Sequence, residues 1–313
     1  MEIIAELCQN HNGDFELLKD MVYSAHESGA DYIKIQTIFA EMLSNRERFE
    51  NGITENGVVK TIKRPYSDEY TRLKTLEISY EKQAEFIDLC KSLGVKPMTT
   101  AFNRISIPKI KEIGFDYIKV ASYDCGSIPL ISDLKNNFKK IVVSTGASYD
   151  QEIKDAANIL EGADFSLLHC VTIYPTPLNH FHLSRMKYLK QFSDNVGWSD
   201  HSLVRKDGVL GTLAAIYYGA TIIERHFTIL DENLTKDGPV SITSKHIEDM
   251  KKFSLLSKND QKLYLDDHFS DHHITLGNSN RELSDLELLN RDYYRGRFTN
   301  HYSKDYSAYN WEN

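Results

Sequence analysis

One local pattern recurs along the chain and constrains its fold more than any other feature. GADYIKIQT at 29–37, GFDYIKVAS at 114–122, GADFSLLHC at 162–170 and GATIIERHF at 219–227 each set a glycine before a short β-branched or aromatic run that ends in polar residues. GVKPMTTAF at 94–102 is a looser copy. A glycine just past a helix takes the left-handed C′ conformation at little cost. The apolar run behind it reads as a buried strand, because a parallel strand covered on both faces has no solvent side to keep polar. Helical spacing precedes the glycines. Leu18, Met21, Val22 and Ala25 share one face before Gly29, with Asp14 as the N-cap. Ile87 and Cys90 do so before Gly94, Ile153, Ala156, Ala157 and Leu160 before Gly162, and Leu210, Leu213, Ala214 and Tyr217 before Gly219.

Eight strand candidates follow: 2–6, 31–36, 95–100, 116–121, 140–144, 164–169, 195–199 and 221–225. Helical segments separate them, and the longer second gap, 38–80 with RPYSDEY, reads as an excursion. This alternation predicts an α/β fold of the (β/α)8 TIM-barrel class. An open doubly wound sheet is the alternative, but it usually has fewer strands, and no GxGxxG follows the first strand. The eighth helix is expected at 244–257, so 1–257 is the catalytic barrel. Residues 258–313, polar and rich in Asp, His, Asn and Tyr, are expected as a C-terminal tail extension packed on it. His268, His272 and His273 fall there, where irregular spacing favours a solvated loop over a metal site.

Composition excludes several classes. Against 37 Lys+Arg stand 45 Asp+Glu, and a net charge of −8 argues against a nucleic-acid partner. No apolar run approaches the ~18–20 residues of a membrane span. The start, MEIIAELCQNHNG, has neither the basic nor the long apolar region of a signal peptide. Cys8, Cys90, Cys125 and Cys170 are far apart with no CxxC, as expected of reduced thiols in a cytoplasmic protein.

In a (β/α)8 barrel the chemistry sits at the C-terminal ends of the strands. Those ends read Glu6; Lys34 and Gln36; Thr99 and Thr100; Lys119, Ser122 and Asp124; Ser144, Thr145 and Gly146; His169, then Tyr174; Ser199, Asp200 and His201; Glu224, Arg225 and His226. Buried charges are costly unless paired or used. Two lysines with hydroxyls suit a small phosphorylated anion, and the net charge makes a basic pocket conspicuous. His201 and His226, on adjacent strands, suit a divalent metal such as Mn, Zn, Fe or Co. Asp200 or Glu224 would then be ligands or orienting partners.

Taken together, AELCQNHNGD (5–14), GADYIKIQT (29–37), MTTAF (98–102), YIKVAS (117–122), STGA (144–147), LLHCVTIYPTP (167–177), GWSDHS (197–202) and ERHFTI (224–229) resemble the sialic acid synthases, in order through about residues 1–285. The resemblance implies a barrel enzyme that condenses phosphoenolpyruvate with an N-acetylated, N-acetylmannosamine-like aldose. The products are phosphate and a sialic or related nonulosonic acid, and the cofactor is a divalent metal, Mn2+ or Mg2+. It implies that Lys34, Thr100, Lys119, Ser122 and Ser199 hold phosphoenolpyruvate, with Ser144 beside them. His201 and His226 would hold the metal, with Gln36 and Tyr174 on the sugar side. Glu6 or Asp124 would move protons.

Three departures stand out. Thr172 replaces the family's Asn in the phosphoenolpyruvate site. Val240 stands where the family's acid contacts the sugar, in KDGPVSIT rather than GPDH. After LGNSNRELSDLELLNRDYYRGR (276–297) the chain stops before the small antifreeze-like domain of the family. The acceptor is therefore open between an N-acetylated aldose and a different sugar. The partners are open between a homodimer and a separate antifreeze-like chain needed for activity.

Overall fold

The structure, a computed structural model, describes residues 1–312. Its strands run Glu2–Glu6, Tyr32–Thr37, Lys96–Ala101, Tyr117–Val120, Lys140–Ser144, Asp164–His169, Val196–Asp200 and Ile222–His226. In that order, strands one to eight pair in parallel with their neighbours, and strand eight closes onto strand one, Glu6 opposite His226. This is the (β/α)8 barrel that the glycine pattern predicts.

Local chemistry explains the helices between. Asp14 accepts hydrogen bonds from the amides of Glu16 and Leu17 at 2.9 and 3.2 Å and caps Phe15–Glu27. Gly94, at φ +78°, ends Tyr80–Leu93 in the left-handed conformation that a side chain would strain. The eighth helix is Ser244–Ser254, shorter than 244–257, because a new helix, Lys258–His268, begins almost at once.

Side chains on each strand alternate between two cores. Ile3, Ala5, Ile33, Ile35 and Trp198 point outward to the helices and join the main core. Ile4, Tyr32, Met98, Val142, Leu168 and Ile222 point inward and fill the middle of the barrel. Below that layer Glu2 accepts from Tyr32, Lys140 and Lys96 at 3.0, 3.0 and 3.3 Å. Above it the inward positions are Glu6, Lys34, Lys119 and Glu224, all buried.

The excursion after strand two carries an exposed hairpin, Ile53–Glu55 with Val58–Thr61, and the helix Tyr66–Lys74. It packs on the mouth of the barrel with Phe298, which joins Ile38, Met42, Leu43 and Leu73 in a third apolar cluster. Lys258–His268 packs on Leu210–Tyr217, and a further helix spans Asp285–Tyr294. The solvated loop expected around His272 is instead a packed one. His272 is buried, with Nδ1 2.6 Å from the Tyr218 hydroxyl, and the exposed His268 stacks on Tyr264 at 4.1 Å. No helix among the described residues is long and apolar enough to cross a membrane. The four cysteines are buried and unpaired.

Candidate active site

A cavity of about 550 Å³ opens at the C-terminal ends of the strands. Glu6, Lys34, Gln36, Thr100, Lys119, Ser122, Asp124, Ser144, Tyr174, Ser199, His201 and His226 all line it. Thr172 does not. Its side chain is fully buried behind the wall with Oγ1 unpartnered, and its carbonyl accepts from Asn290 at 2.7 Å.

At the cavity floor Lys34 contacts Glu6 directly and donates to Thr100 Oγ1 at 3.1 Å. Lys119 donates to Ser144 Oγ at 2.6 Å. Glu224 lies 3.7 Å from both amines and accepts from Ser199 at 2.9 Å. Burial alone would raise the Glu224 pKa, but Lys119 and Lys34 outweigh it and hold the carboxyl near 2. Burial lowers Lys34 to about 8, assisted by the charge of Lys119 and opposed by Glu224. The Glu6 carboxylate in contact with it also favours the charged amine. The two lysines are thus balanced by two carboxylates and do not form the free basic pocket that the sequence suggests.

Strand four continues into a turn where Ser122 Oγ lies 3.0 Å from Cys170 Sγ. Gly146 lies against this pair: a Cβ there would stand 2.5 Å from Cys170 Sγ and 3.0 Å from Ser122 Oγ, so a side chain would displace the serine. Asp124 accepts from Ser127 at 2.9 Å and from Asn310 at 3.0 Å. Burial raises its pKa against those two hydrogen bonds.

The histidines converge as expected, ring centroids 5.4 Å apart, with the Tyr174 ring 4.2 Å from His201. Both His201 Nδ1 and His226 Nδ1 are buried without a hydrogen-bond partner. Burial, with the charge of His226, lowers His201 to about 3, so its imidazole is neutral and free to ligate. Cys8, His226 and Asp237 form a group able to hold a metal ion. Orphaned imidazole nitrogens beside a thiol and a carboxylate fit a divalent metal.

Asp200 and His169 leave the site. They end their strands on the outward face. Asp200 pairs with Arg225 at 2.7 Å and accepts from Thr212, with both charges fully buried. His169 bonds the Phe181 carbonyl at 2.8 Å. Val240 is buried and off the cavity; the acid that reaches it is Asp237, before the Gly-Pro instead of after it.

Sequence reasoning also missed Cys8 and the cations Arg64, Arg72, Lys236 and Arg297, which line the outer mouth. The signal for Cys8 was present in AELCQNHNGD, directly after strand one. The arginines lie on the excursion and beyond residue 285, where no strand end marks them.

A model described as the NeuB family matches residues 21–258. An N,N'-diacetyllegionaminic acid synthase of Legionella pneumophila is 35% identical over 257 residues, covering 80% of this chain and 69% of its own length. One of Campylobacter jejuni is 33% identical over 274 residues, covering 83% and 76%. Among solved structures, the N-acetylneuraminic acid synthetase of Leptospira borgpetersenii superposes with a TM-score of 0.67 at 26% identity, covering 94% of this chain and 91% of that one.

Proposed function

The chain belongs to the NeuB family, and on that premise we propose that it is a phosphoenolpyruvate-dependent synthase of a nonulosonic acid. The observation that carries the assignment is the pair of buried, carboxylate-balanced lysines facing Thr100, Ser122, Ser144 and Ser199 at one barrel mouth. It is a built anion site at the face where barrel enzymes do chemistry.

In this reading Lys34 and Lys119 hold the carboxylate and phosphate of phosphoenolpyruvate, and the hydroxyls fix its orientation. The enol carbon C3 attacks the acceptor's aldehyde carbon, and the new C–C bond leaves the aldehyde oxygen to take a proton. Water then adds at C2, the C2–O bond to phosphate breaks, and the product is a 2-keto acid. Developing negative charge on the departing phosphate meets two fixed cations that need no reorganisation. Asp124, whose pKa burial raises, is one candidate for the proton donor, and Glu6 is the other. His201 and His226 would hold a divalent cation, Mn2+ or Mg2+ by resemblance, whose chemistry is to polarise the aldehyde. Gln36 and Tyr174 stand on the acceptor side.

One observation favours a second reading of the acceptor. Arg64, Arg72, Lys236 and Arg297 crowd the outer mouth around one carboxylate, Glu69. Arg297 is buried and its Nε has no partner. Such a cluster suits a sugar with an acidic group at its far end better than a neutral one. Asn290, Tyr294, Arg297 and Phe298 supply part of the cavity wall from the C-terminal region of this chain.

The test is phosphate release from phosphoenolpyruvate with a divalent cation and a panel of acceptors: N-acetylmannosamine, a diacetamido-dideoxy hexose, and phosphorylated counterparts. Release with any of them is expected. Silence with all, under conditions where an established synthase reacts, refutes the assignment. Preference for neutral sugars refutes the acidic acceptor alone. Turnover only after an antifreeze-like chain is added favours the reading with a separate partner.

A further inference from the structure

Around the histidines the structure assembles donors that a Mn2+ or Mg2+ site does not need. Cys8 Sγ lies 3.0 Å from Asp237 Oδ2, and His226 Nδ1 lies 3.8 Å from the same oxygen. The three ligand atoms all stand within 4.8 Å of one another. Donors bound to one ion at zinc-like bond lengths stand about 3.5 Å apart in a tetrahedron. These separations bracket that spacing, although the groups come from three distant stretches of chain: the turn after strand one, the end of strand eight, and the loop beyond it. His201 stands next to them with its Nδ1 unpartnered.

The backbone at Cys8 adds an independent argument. Its φ is +49°, in the left-handed region that side-chain-bearing residues rarely adopt. Its amide donates to Glu6 Oε1 at 2.6 Å, which holds the turn. Glycine would make this turn with less strain. Strain of this kind persists where a side chain is used, and here it points a sulfur at a carboxylate and an imidazole.

We propose that Cys8 is a metal ligand, bound as thiolate, in a Cys8–His226–Asp237 site. The site then selects a thiophilic divalent ion, Zn2+, Fe2+ or Co2+, over Mg2+ and Mn2+. Magnesium keeps to oxygen ligands, manganese stands lowest in affinity among the first-row divalent ions, and a thiolate widens both gaps. On binding, the Cys8 S–H bond breaks, its proton passes to solvent, and the sulfur's electron pair forms the bond to the ion; nothing is oxidised or reduced.

This inference rests on the metal reading of the site, and its test reads the donor atom instead of turnover. The full chain, stripped of metal with a chelator, is titrated with Co2+ and followed by near-ultraviolet absorption and calorimetry. A thiolate-to-cobalt charge-transfer band is expected, with about one proton released per ion. Zn2+ is expected to displace Mn2+ at stoichiometric concentration. Cys8→Ser, which leaves a weak oxygen donor, is expected to lose the band and to raise the Co2+ Kd at least about tenfold. Cys8→Gly suits the left-handed backbone and removes the donor, so it answers the question should the serine variant fail to fold. Cobalt bound without the band, at a Kd unchanged in either variant, overturns the thiolate ligand and leaves the metal reading standing. No binding of Co2+, Zn2+ or Mn2+ at all overturns both.

Discussion

At the lower end of the barrel Glu2 faces Lys96 and Lys140; at the upper end Glu6 and Glu224 face Lys34 and Lys119. The ingredients are the same, on the inward face of one barrel, although only strand one contributes to both. The settings differ. Lys96 is 43% exposed and Glu2 33%, whereas Lys34, Glu6, Lys119 and Glu224 are all 8% exposed or less. Ion pairs that reach water contribute at most about 1 kcal/mol and cost little to keep. Pairs taken fully out of water lose more hydration than their attraction returns, so stability gives no reason to keep them. The lower cluster closes the barrel floor. On the proposed function the upper one meets a ligand, and the layer of Ile4, Met98, Val142 and Leu168 lies beneath it.

Removing a lysine from one end or the other should break this symmetry most visibly. Lys34→Met or Lys119→Met is expected to lower kcat/KM for phosphoenolpyruvate by about 10²–10³-fold, the scale for removing one preorganised donor to a developing anion. Lys96→Met at the lower end should leave kcat/KM unchanged in the same phosphate-release assay. Equal losses at both ends would refute the division of roles.

The pH profile sharpens the contrast. Lys34 carries its charge below about 8 and loses it above, so kcat/KM for phosphoenolpyruvate should fall as the pH rises through that value. Lys34→Arg keeps its charge far higher and should flatten the fall in whatever activity it retains. The lower end responds to acid instead. Burial would raise the Glu2 pKa, but Lys140, Tyr32 and Lys96 together lower it. A depressed carboxylate contributes stability above its unfolded pKa, and that contribution disappears as the pH falls through the folded one. Glu2→Gln should therefore cost about 1 kcal/mol in denaturant unfolding at neutral pH, progressively less in acid, with turnover unaffected.

The smallest effect is expected at Thr172. Because the side chain lies behind the cavity wall, Thr172→Ala should leave the KM for phosphoenolpyruvate within about twofold. A tenfold rise would put its hydroxyl in the site after all.

The barrel is legible because each repeat states its own boundaries. A helical stripe, a glycine and an apolar run locate most of the strands to within about a residue, and 164–169 coincides with Asp164–His169. The inward strand ends are legible for the same reason, since a polar residue there interrupts an apolar run. Neighbours at one strand end are harder to separate. Ser199 and Asp200, or Glu224 and Arg225, are adjacent in sequence but face opposite cores, and a buried ion pair to a helix looks the same in sequence as a catalytic carboxylate. Asp237, Arg64, Arg72 and Arg297 were out of reach for another reason. They reach the cavity from loops and from the excursion helix Tyr66–Lys74, whose placement depends on contacts such as Leu43 with Phe298 that no local periodicity reports.

That division between strands and loops has a practical side. The groups proposed to hold phosphoenolpyruvate sit mostly on strand ends, where a change disturbs the packed barrel. The outer wall comes from the excursion 38–80 and from residues beyond 285, which rest on the mouth through their own small apolar cluster. Those two segments can be rewritten together, exchanging one acceptor for another, while the strand ends proposed to handle the donor are left in place. Grafting both segments between relatives, as one unit, is the corresponding route for an engineer who wants a different sugar acid from the same scaffold.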